Sequence, residues 1–122
     1  MWTYSQSSGK LTSATGAVTG TGYSGRGPGL NNPEMQNVKD VGPLPQGHYT
    51  FGDLVAHDPV VGEYAIPLIP SPDNQMFGRG DFFCHGDNPQ VNHSASEGCI
   101  IMALTVREEI WLSDDHELIV TA

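Results

Sequence analysis

A mainly β fold with long loops and one short helix is what this 122-residue sequence predicts, and three observations lead there. Glycine (15) and proline (9) together exceed the roughly 12 % of average usage, which favours short strands and turns over long helices. Apolar and polar residues alternate in short runs, such as Trp2-Thr3-Tyr4-Ser5 and His48-Tyr49-Thr50-Phe51, with the two-residue period of half-buried strands. A helix start signal stands out once. Thr105-Val106-Arg107-Glu108 has the S/T-x-x-E form of a capping box and runs into Glu109-Ile110-Trp111-Leu112, which predicts a short helix over 105–112 with acidic residues at the positive end of its dipole. A chain of this length is read as one domain, 1–122, folded as a β-sandwich or meander.

Taken in order, Met1 to Gln6 reads as the first strand and Ser7-Ser8-Gly9-Lys10 as its turn. Leu11-Thr12 and Ala17-Val18-Thr19 are the return strands of a hairpin or three-stranded ribbon, with glycines at 16, 20 and 22 marking bends. Residues 20–47 hold much Gly, Pro and Asn with little periodicity. Connections without secondary structure beyond roughly 12–15 residues are uncommon in compact domains and are usually functional or disordered. Tyr23, Arg26 and Asn31-Asn32-Pro33 are therefore candidate walls of a cleft, the alternative being a packed surface loop. Gly42-Pro43-Leu44-Pro45-Gln46-Gly47 is a rigid turn into a strand that carries Tyr49 and Phe51 on its apolar face. The prolines of Tyr64-Ala65-Ile66-Pro67-Leu68-Ile69-Pro70 lack ladder donors and predict an edge or bulged strand. Glu117-Leu118-Ile119-Val120-Thr121 is the closing strand, expected at the centre of the sheet.

Five Lys and Arg against fourteen Asp and Glu give a formal charge of −9. No basic stripe is available to neutralise phosphates, so neither nucleic acid nor an anionic membrane surface is an expected partner. No apolar run approaches the ~20 residues that span a bilayer. The N-terminus shows neither the basic nor the apolar region of a signal peptide, so export is expected by another route.

Two stretches carry the chemistry. Phe82-Phe83-Cys84-His85-Gly86-Asp87-Asn88 reads as a buried strand that surfaces into a turn, with His85 at its end. Ser96-Glu97-Gly98 is a small polar turn, and the apolar run Ile100-Ile101-Met102 anchors Cys99 behind it. A thiol at its ordinary pKa is mostly protonated, and an imidazole within hydrogen-bond reach takes that proton. Gly98 allows positive φ and close approach of a carbonyl, so the amides of Gly98 and Cys99 are candidate oxyanion donors. Strand alternation turns Cys84 inward while His85 meets Cys99, which argues against a disulfide between the two cysteines. Ser96, Asp87 or a backbone carbonyl would orient the imidazole, the carbonyl being the first choice in such glycine-rich loops. Against this stands a structural reading, since free cysteines pack readily in cores and a strand-end histidine is often only a satisfied polar group.

His48, His57, His85, His93, Asp87 and the cysteines are metal-capable residue types, but their spacings fit no ligand pattern. No metal and no cofactor are expected.

His85-Gly86, a spacer and Ser96-Glu97-Gly98-Cys99-Ile100 resemble the His-Gly…Ser-x-Gly-Cys signature of L,D-transpeptidases, the YkuD-type cysteine enzymes of bacterial peptidoglycan. The chain resembles more closely still the small L,D-transpeptidase-like toxins delivered by type VI secretion. That likeness runs nearly end to end, through Trp2 to Gln6, Gly20 to Gly25, Asn31-Asn32-Pro33, Gln36-Asn37, Val41 to Tyr49, Met76 to Arg79, and His85 to Trp111. The resemblance implies an L,D-transpeptidase-like β fold and acyl transfer on peptidoglycan stem peptides, with a tetrapeptide as donor. It implies Cys99 as nucleophile and His85 as base, with Gly98 and Ser96 in the catalytic turn. Arg79, one of only five cations, is then the candidate clamp for a stem-peptide carboxylate. Tyr23, Asp87 and Asn88 are further candidate substrate contacts. A toxin of this kind is made in the cytoplasm, acts in the periplasm of a target bacterium and requires a cognate immunity protein. Two positions depart from the broader family, which usually has His where Glu97 stands and Arg where Ile101 stands; they leave open whether water or an amine is the preferred acceptor. A non-catalytic peptidoglycan-binding module and a metal-dependent hydrolase are the competing readings.

Overall fold

The computed structural model of the chain describes residues 1–87 and 95–122; Asn88 and His93 lie outside the described residues. Ten strands alternate with turns: β1 (Trp2–Ser5), β2 (Lys10–Thr12), β3 (Val18–Thr21), β4 (Tyr23–Ser24), β5 (Gly47–Phe51), β6 (Val55–Asp58), β7 (Gly62–Pro70), β8 (Phe82–His85), β9 (Ile100–Ile101) and β10 (Glu117–Thr121). Among the described residues there is one α-helix, α1 (Leu104–Leu112), which packs on β7 and β8. The fold is mainly β, as the composition and alternation predict. The strands form one sheet in the order β3-β2-β1-β10-β5-β7-β8-β9-β4, with β6 paired to β7 outside that path.

The two ends of this order, β3 and β4, are consecutive in sequence and separated only by Gly22. The sheet therefore has to curl until its edges nearly meet. Gly22 is the seam: its amide donates to the Gly9 carbonyl at 2.8 Å on one side, while on the other a Cβ would overlap the Ile101 carbonyl oxygen. The curl wraps a core in which Tyr4, Leu11, Leu44, Tyr49, Ile66, Ile100, Ile110 and Leu118 are completely or almost completely buried. Alternation in β1 buries Trp2 and Tyr4, and alternation in β5 buries Tyr49 and Phe51. The closing strand β10 lies inside the sheet, parallel to β1 and antiparallel to β5.

Two local expectations are corrected. β7 is not an edge: β5 pairs with one side of it and β8 with the other. Its prolines are tolerated because each missing N–H points where a neighbour has run out. The Pro67 carbonyl accepts from Gly52 at 2.8 Å, just past the end of β5, and the N side of the same residue faces that way too. Pro70 points to the β8 side, two residues beyond the last pair, Leu68 with Phe82. The capping box at Thr105 does not form either. The helix starts at Leu104 with Ala103 as N-cap and no side-chain cap, so Thr105 already has helical geometry and no acidic residue lies in the first turn. Packing overrides the local signal here: Val106 and Ile110 are buried, and Arg107 reaches back to the Met102 carbonyl at 3.1 Å, fixing where the helix begins.

The long stretch 20–47 is ordered by β4, by 3-10 turns at Gly27–Gly29 and Pro33–Met35, and by side chains that reach backbone. Ser24 Oγ donates to the Gly98 carbonyl at 3.0 Å and accepts from the Leu44 amide at 2.8 Å, so this loop is fastened directly to the turn before Cys99.

Gly22→Ala is expected to destabilise the protein by about 3 kcal/mol or more, because the clash is with backbone that closes the sheet; urea unfolding measures it. Thr105→Ala should stay within about 0.5 kcal/mol, where loss of a working N-cap would cost about 1 kcal/mol.

Candidate active site

β8 and β9 run parallel, with Cys84 opposite Ile100 and His85 opposite Ile101. Cys84 and Ile100 face the core, each about 1 % exposed, so Phe83 and His85 point to the other face. Cys99 stands one residue before β9 beside Phe83, whose amide donates to Cys99 Sγ at 3.3 Å. Thiol and imidazole thus share one face of the sheet. Both line a cleft of about 420 Å³, together with Asp40, Val60, Asp81 and Glu97. Among the described residues no hydrogen bond joins the sulfur to the ring.

The ring is fixed from behind. His85 Nδ1 lies 2.8 Å from the Gly86 carbonyl, which only accepts, so Nδ1 carries the proton and Nε2 is left as the basic nitrogen. The orienting group is the backbone carbonyl, not Ser96 or Asp87. Burial, only partly offset by that hydrogen bond, holds the His85 pKa below its ordinary value. Burial also pushes the Cys99 thiol up to about 11, against the pull of the Phe83 amide. Both shifts favour the uncharged thiol and the uncharged imidazole over a thiolate–imidazolium pair.

Ser96 is fully buried and knots the turn before the thiol. Its Oγ donates to the Cys99 carbonyl at 2.6 Å and accepts from the amides of Gly25, at 2.9 Å, and Gly98, at 3.1 Å. Gly98 has φ +127°, as its residue type suggested. Its amide is already given to Ser96, so it is not free for an oxyanion; of the two nominated donors, the Cys99 amide remains. The space that glycine leaves is used by protein: a Cβ at 98 would lie 2.5 Å from both Arg79 Nη2 and Phe82 Cε1.

Arg79 is buried and spent. Nη1 donates to the carbonyls of Gln36 at 2.6 Å and Pro43 at 2.8 Å, and Nη2 to those of Gly42 at 2.9 Å and Glu97 at 3.1 Å. The four terminal N–H groups are occupied, leaving no fork for a carboxylate. Arg79 ties the 36–43 loop to the turn before Cys99, with Phe82 beneath it at 5.3 Å.

Tyr23 and Asp87 are brought together, but outside this cleft. The Tyr23 hydroxyl donates to Asp87 Oδ1 at 2.6 Å and accepts from the Ala95 amide at 3.2 Å. Burial and the Asp87 contact push the phenol up to about 12. Both residues line a second groove of about 700 Å³, together with Gly86, Ile101, Met102 and the start of α1. Arg107 lines it as well and was not singled out from the sequence, where it read only as part of a capping box. Scarcity of cations, the signal that pointed to Arg79, applied equally to it. Among the described residues no three His, Cys, Asp or Glu side chains cluster as metal ligands, and no helix is long and apolar enough to cross a membrane.

No curated protein and no solved structure gives a significant match to the chain. One family profile does match, that of the Tlde1 domain, over residues 19–119. The match takes in the β4 loop, the Arg79 tie, His85 and Cys99, which is to say every part of the cleft just described, and by it the chain belongs to the Tlde1 domain family of type VI secretion effectors.

Proposed function

We propose that the protein is a cysteine acyl-transfer enzyme acting on peptidoglycan stem peptides, an antibacterial toxin made in the cytoplasm and delivered to the periplasm of a target bacterium. The observation that supports it most is the shared cleft: a buried, oriented imidazole, whose Nε2 has no hydrogen-bond partner among the described residues, and a partly exposed thiol on one face of β8 and β9. In this reading Cys99 Sγ attacks the carbonyl that joins the L-centre of a diamino acid to a terminal D-alanine. Nε2 of His85 takes the thiol proton as the C–S bond forms and returns it to the nitrogen as the C–N bond breaks. D-alanine leaves and a thioester stays. The Cys99 amide faces the developing oxyanion, a donor of a kind worth about 3 kcal/mol in other enzymes. Water as acceptor then makes the enzyme an L,D-carboxypeptidase, and an amine makes it a transpeptidase or D-amino-acid exchanger.

Because both groups rest neutral, proton transfer accompanies attack, and no preformed thiolate is required. A producing cell needs protection, so an immunity protein that fills the cleft is the expected partner. The competing reading, a peptidoglycan-binding module without turnover, draws on the missing hydrogen bond between Sγ and the ring.

Cys99→Ala should lower conversion of purified tetrapeptide muropeptides by about 10³-fold or more while leaving their binding intact; mass spectrometry of the products reads both the loss and the acceptor. Unchanged turnover would remove the enzyme reading. In the active enzyme the acid limb of the pH–rate profile should lie below 6.5, because protonation of a buried imidazole is disfavoured. Iodoacetamide should alkylate Cys99 along a curve centred near 11, with Cys84, whose thiol burial raises to about 12, untouched in the folded protein. A Cys99 midpoint near 7 would mean a resting ion pair and contradict the neutral site.

A further inference from the structure

The turn before the thiol is fastened one peptide unit at a time. In the 97–98 unit the Glu97 carbonyl accepts from Arg79 Nη2 at 3.1 Å, and the Gly98 amide donates to Ser96 Oγ at 3.1 Å. In the 99–100 unit the Cys99 carbonyl accepts from Ser96 Oγ at 2.6 Å. The 98–99 unit between them carries the Cys99 amide. Among the described residues one hydrogen bond holds it, from Ser24 Oγ to the Gly98 carbonyl at 3.0 Å. Glycine at 98 offers this unit little resistance of its own to rotation, because backbone torsions are least restricted in that residue type.

Ser24 is itself immobilised. It is completely buried, and Asn31 grips its backbone from both sides: the Ser24 amide donates to Asn31 Oδ1 at 3.1 Å, and the Ser24 carbonyl accepts from the Asn31 amide at 2.9 Å. The hydroxyl accepts from the Leu44 amide at 2.8 Å, which leaves its own proton for Gly98. In a planar trans unit the C=O and N–H point in opposite directions. A Gly98 carbonyl drawn toward β4 therefore turns the Cys99 N–H away from β4. On that other flank of β9 lies β8, the strand that carries His85.

We propose that Ser24 is a positioning residue for acyl transfer, which by holding the Gly98 carbonyl aims the Cys99 amide at the oxygen of the attacked carbonyl. The proposal rests on the acyl-transfer reading above and adds what preorganises its remaining oxyanion donor. Such a donor counts through its direction in the transition state. A released 98–99 unit that turned over would set a carbonyl lone pair where the N–H belongs. The thiol would keep its place, because Ser96, Arg79 and the Phe83 amide hold the neighbouring groups.

The test compares Ser24→Ala with Gln6→Ala. Gln6 is equally buried and ties the same segment, its Nε2 donating to the Leu44 carbonyl at 2.8 Å, without touching the 98–99 unit. In Ser24→Ala, kcat on tetrapeptide muropeptide should fall by about 10²-fold, the lower end of the cost of losing one oxyanion donor, with KM within about threefold. Alkylation of Cys99 by iodoacetamide, a displacement at saturated carbon that develops no oxyanion, should keep its rate within about twofold. Gln6→Ala should lower Tm at least as much and keep kcat within about threefold. An alkylation rate that falls with turnover, an unchanged kcat in Ser24→Ala, or an equal loss in Gln6→Ala overturns the proposal. The wild-type protein gives a reading that does not depend on a variant's folding. The aldehyde of Nα-acetyl-lysine takes Cys99 Sγ on its carbon and the thiol proton on its oxygen. In that adduct the Cys99 amide proton should resonate downfield of its position in the iodoacetamide adduct, which has no oxygen on the carbon bonded to sulfur; equal positions overturn the proposal too. Absence of tetrapeptide turnover in the wild-type enzyme would remove the acyl-transfer reading itself, whereas turnover that Ser24→Ala leaves unchanged removes the Ser24 role alone.

Discussion

Four backbone carbonyls converge on the buried guanidinium of Arg79, and the turn that carries Cys99 is built around that point. Burying a full charge is costly unless its donors are satisfied. Here the charge is repaid by carbonyls that would themselves be left unpaired in a loop without regular structure. The constraint propagates through space. Glu97 brings in the turn before Cys99, Gln36, Gly42 and Pro43 bring in the long loop, and Gly98 has to be glycine because the guanidinium and the Phe82 ring fill the volume of a Cβ. Ser96 and Ser24 then lock the same turn from the other side. A residue that looks in the sequence like a substrate clamp acts as the post against which the thiol is positioned.

The cost of that positioning appears in the electrostatics. The environment that fixes Cys99 and His85 also removes water from them, and desolvation is the largest influence on both, raising one pKa and lowering the other. The shifts oppose formation of a thiolate–imidazolium pair in the free protein. In the proposed acyl transfer, activation would therefore have to come with the substrate, whose carbonyl would take up the negative charge as the proton moves to Nε2. A neutral thiol is also a poor target for oxidants and alkylating agents.

What the sequence made legible follows from periodicity. Two-residue alternation placed Trp2, Tyr4, Tyr49 and Phe51 inward, and it put Cys84 and His85 on opposite faces, which sets the imidazole on the side of Cys99. What stayed illegible depends on partners distant in the chain. Nothing local to Pro67 tells that β5 ends at Phe51, so its missing donor looked like an edge. Thr105 carries a genuine cap signal, overruled by Arg107 and the burial of Val106 and Ile110. Arg79 and Arg107 are alike in sequence as rare cations, yet one has all its terminal donors filled and the other, among the described residues, has no partner on Nη2. Only the carbonyls of residues some 20 to 45 positions away distinguish them.

Closure of the sheet is what shapes the second groove. With β3 and β4 joined through Gly22, Tyr23 is delivered to Ile101, directly across β9 from His85, and Thr21 and Gly22 become part of the groove wall. An open sheet with the same strands would leave β9 as an edge and expose the start of α1 to solvent on that side. The seam thus ties together a fold property and a chemical one. The overlap that forbids a side chain at position 22 is with Ile101, the residue paired to His85. Strain introduced there would reach the site through a single strand pair, without touching Cys99 or the turn that holds it.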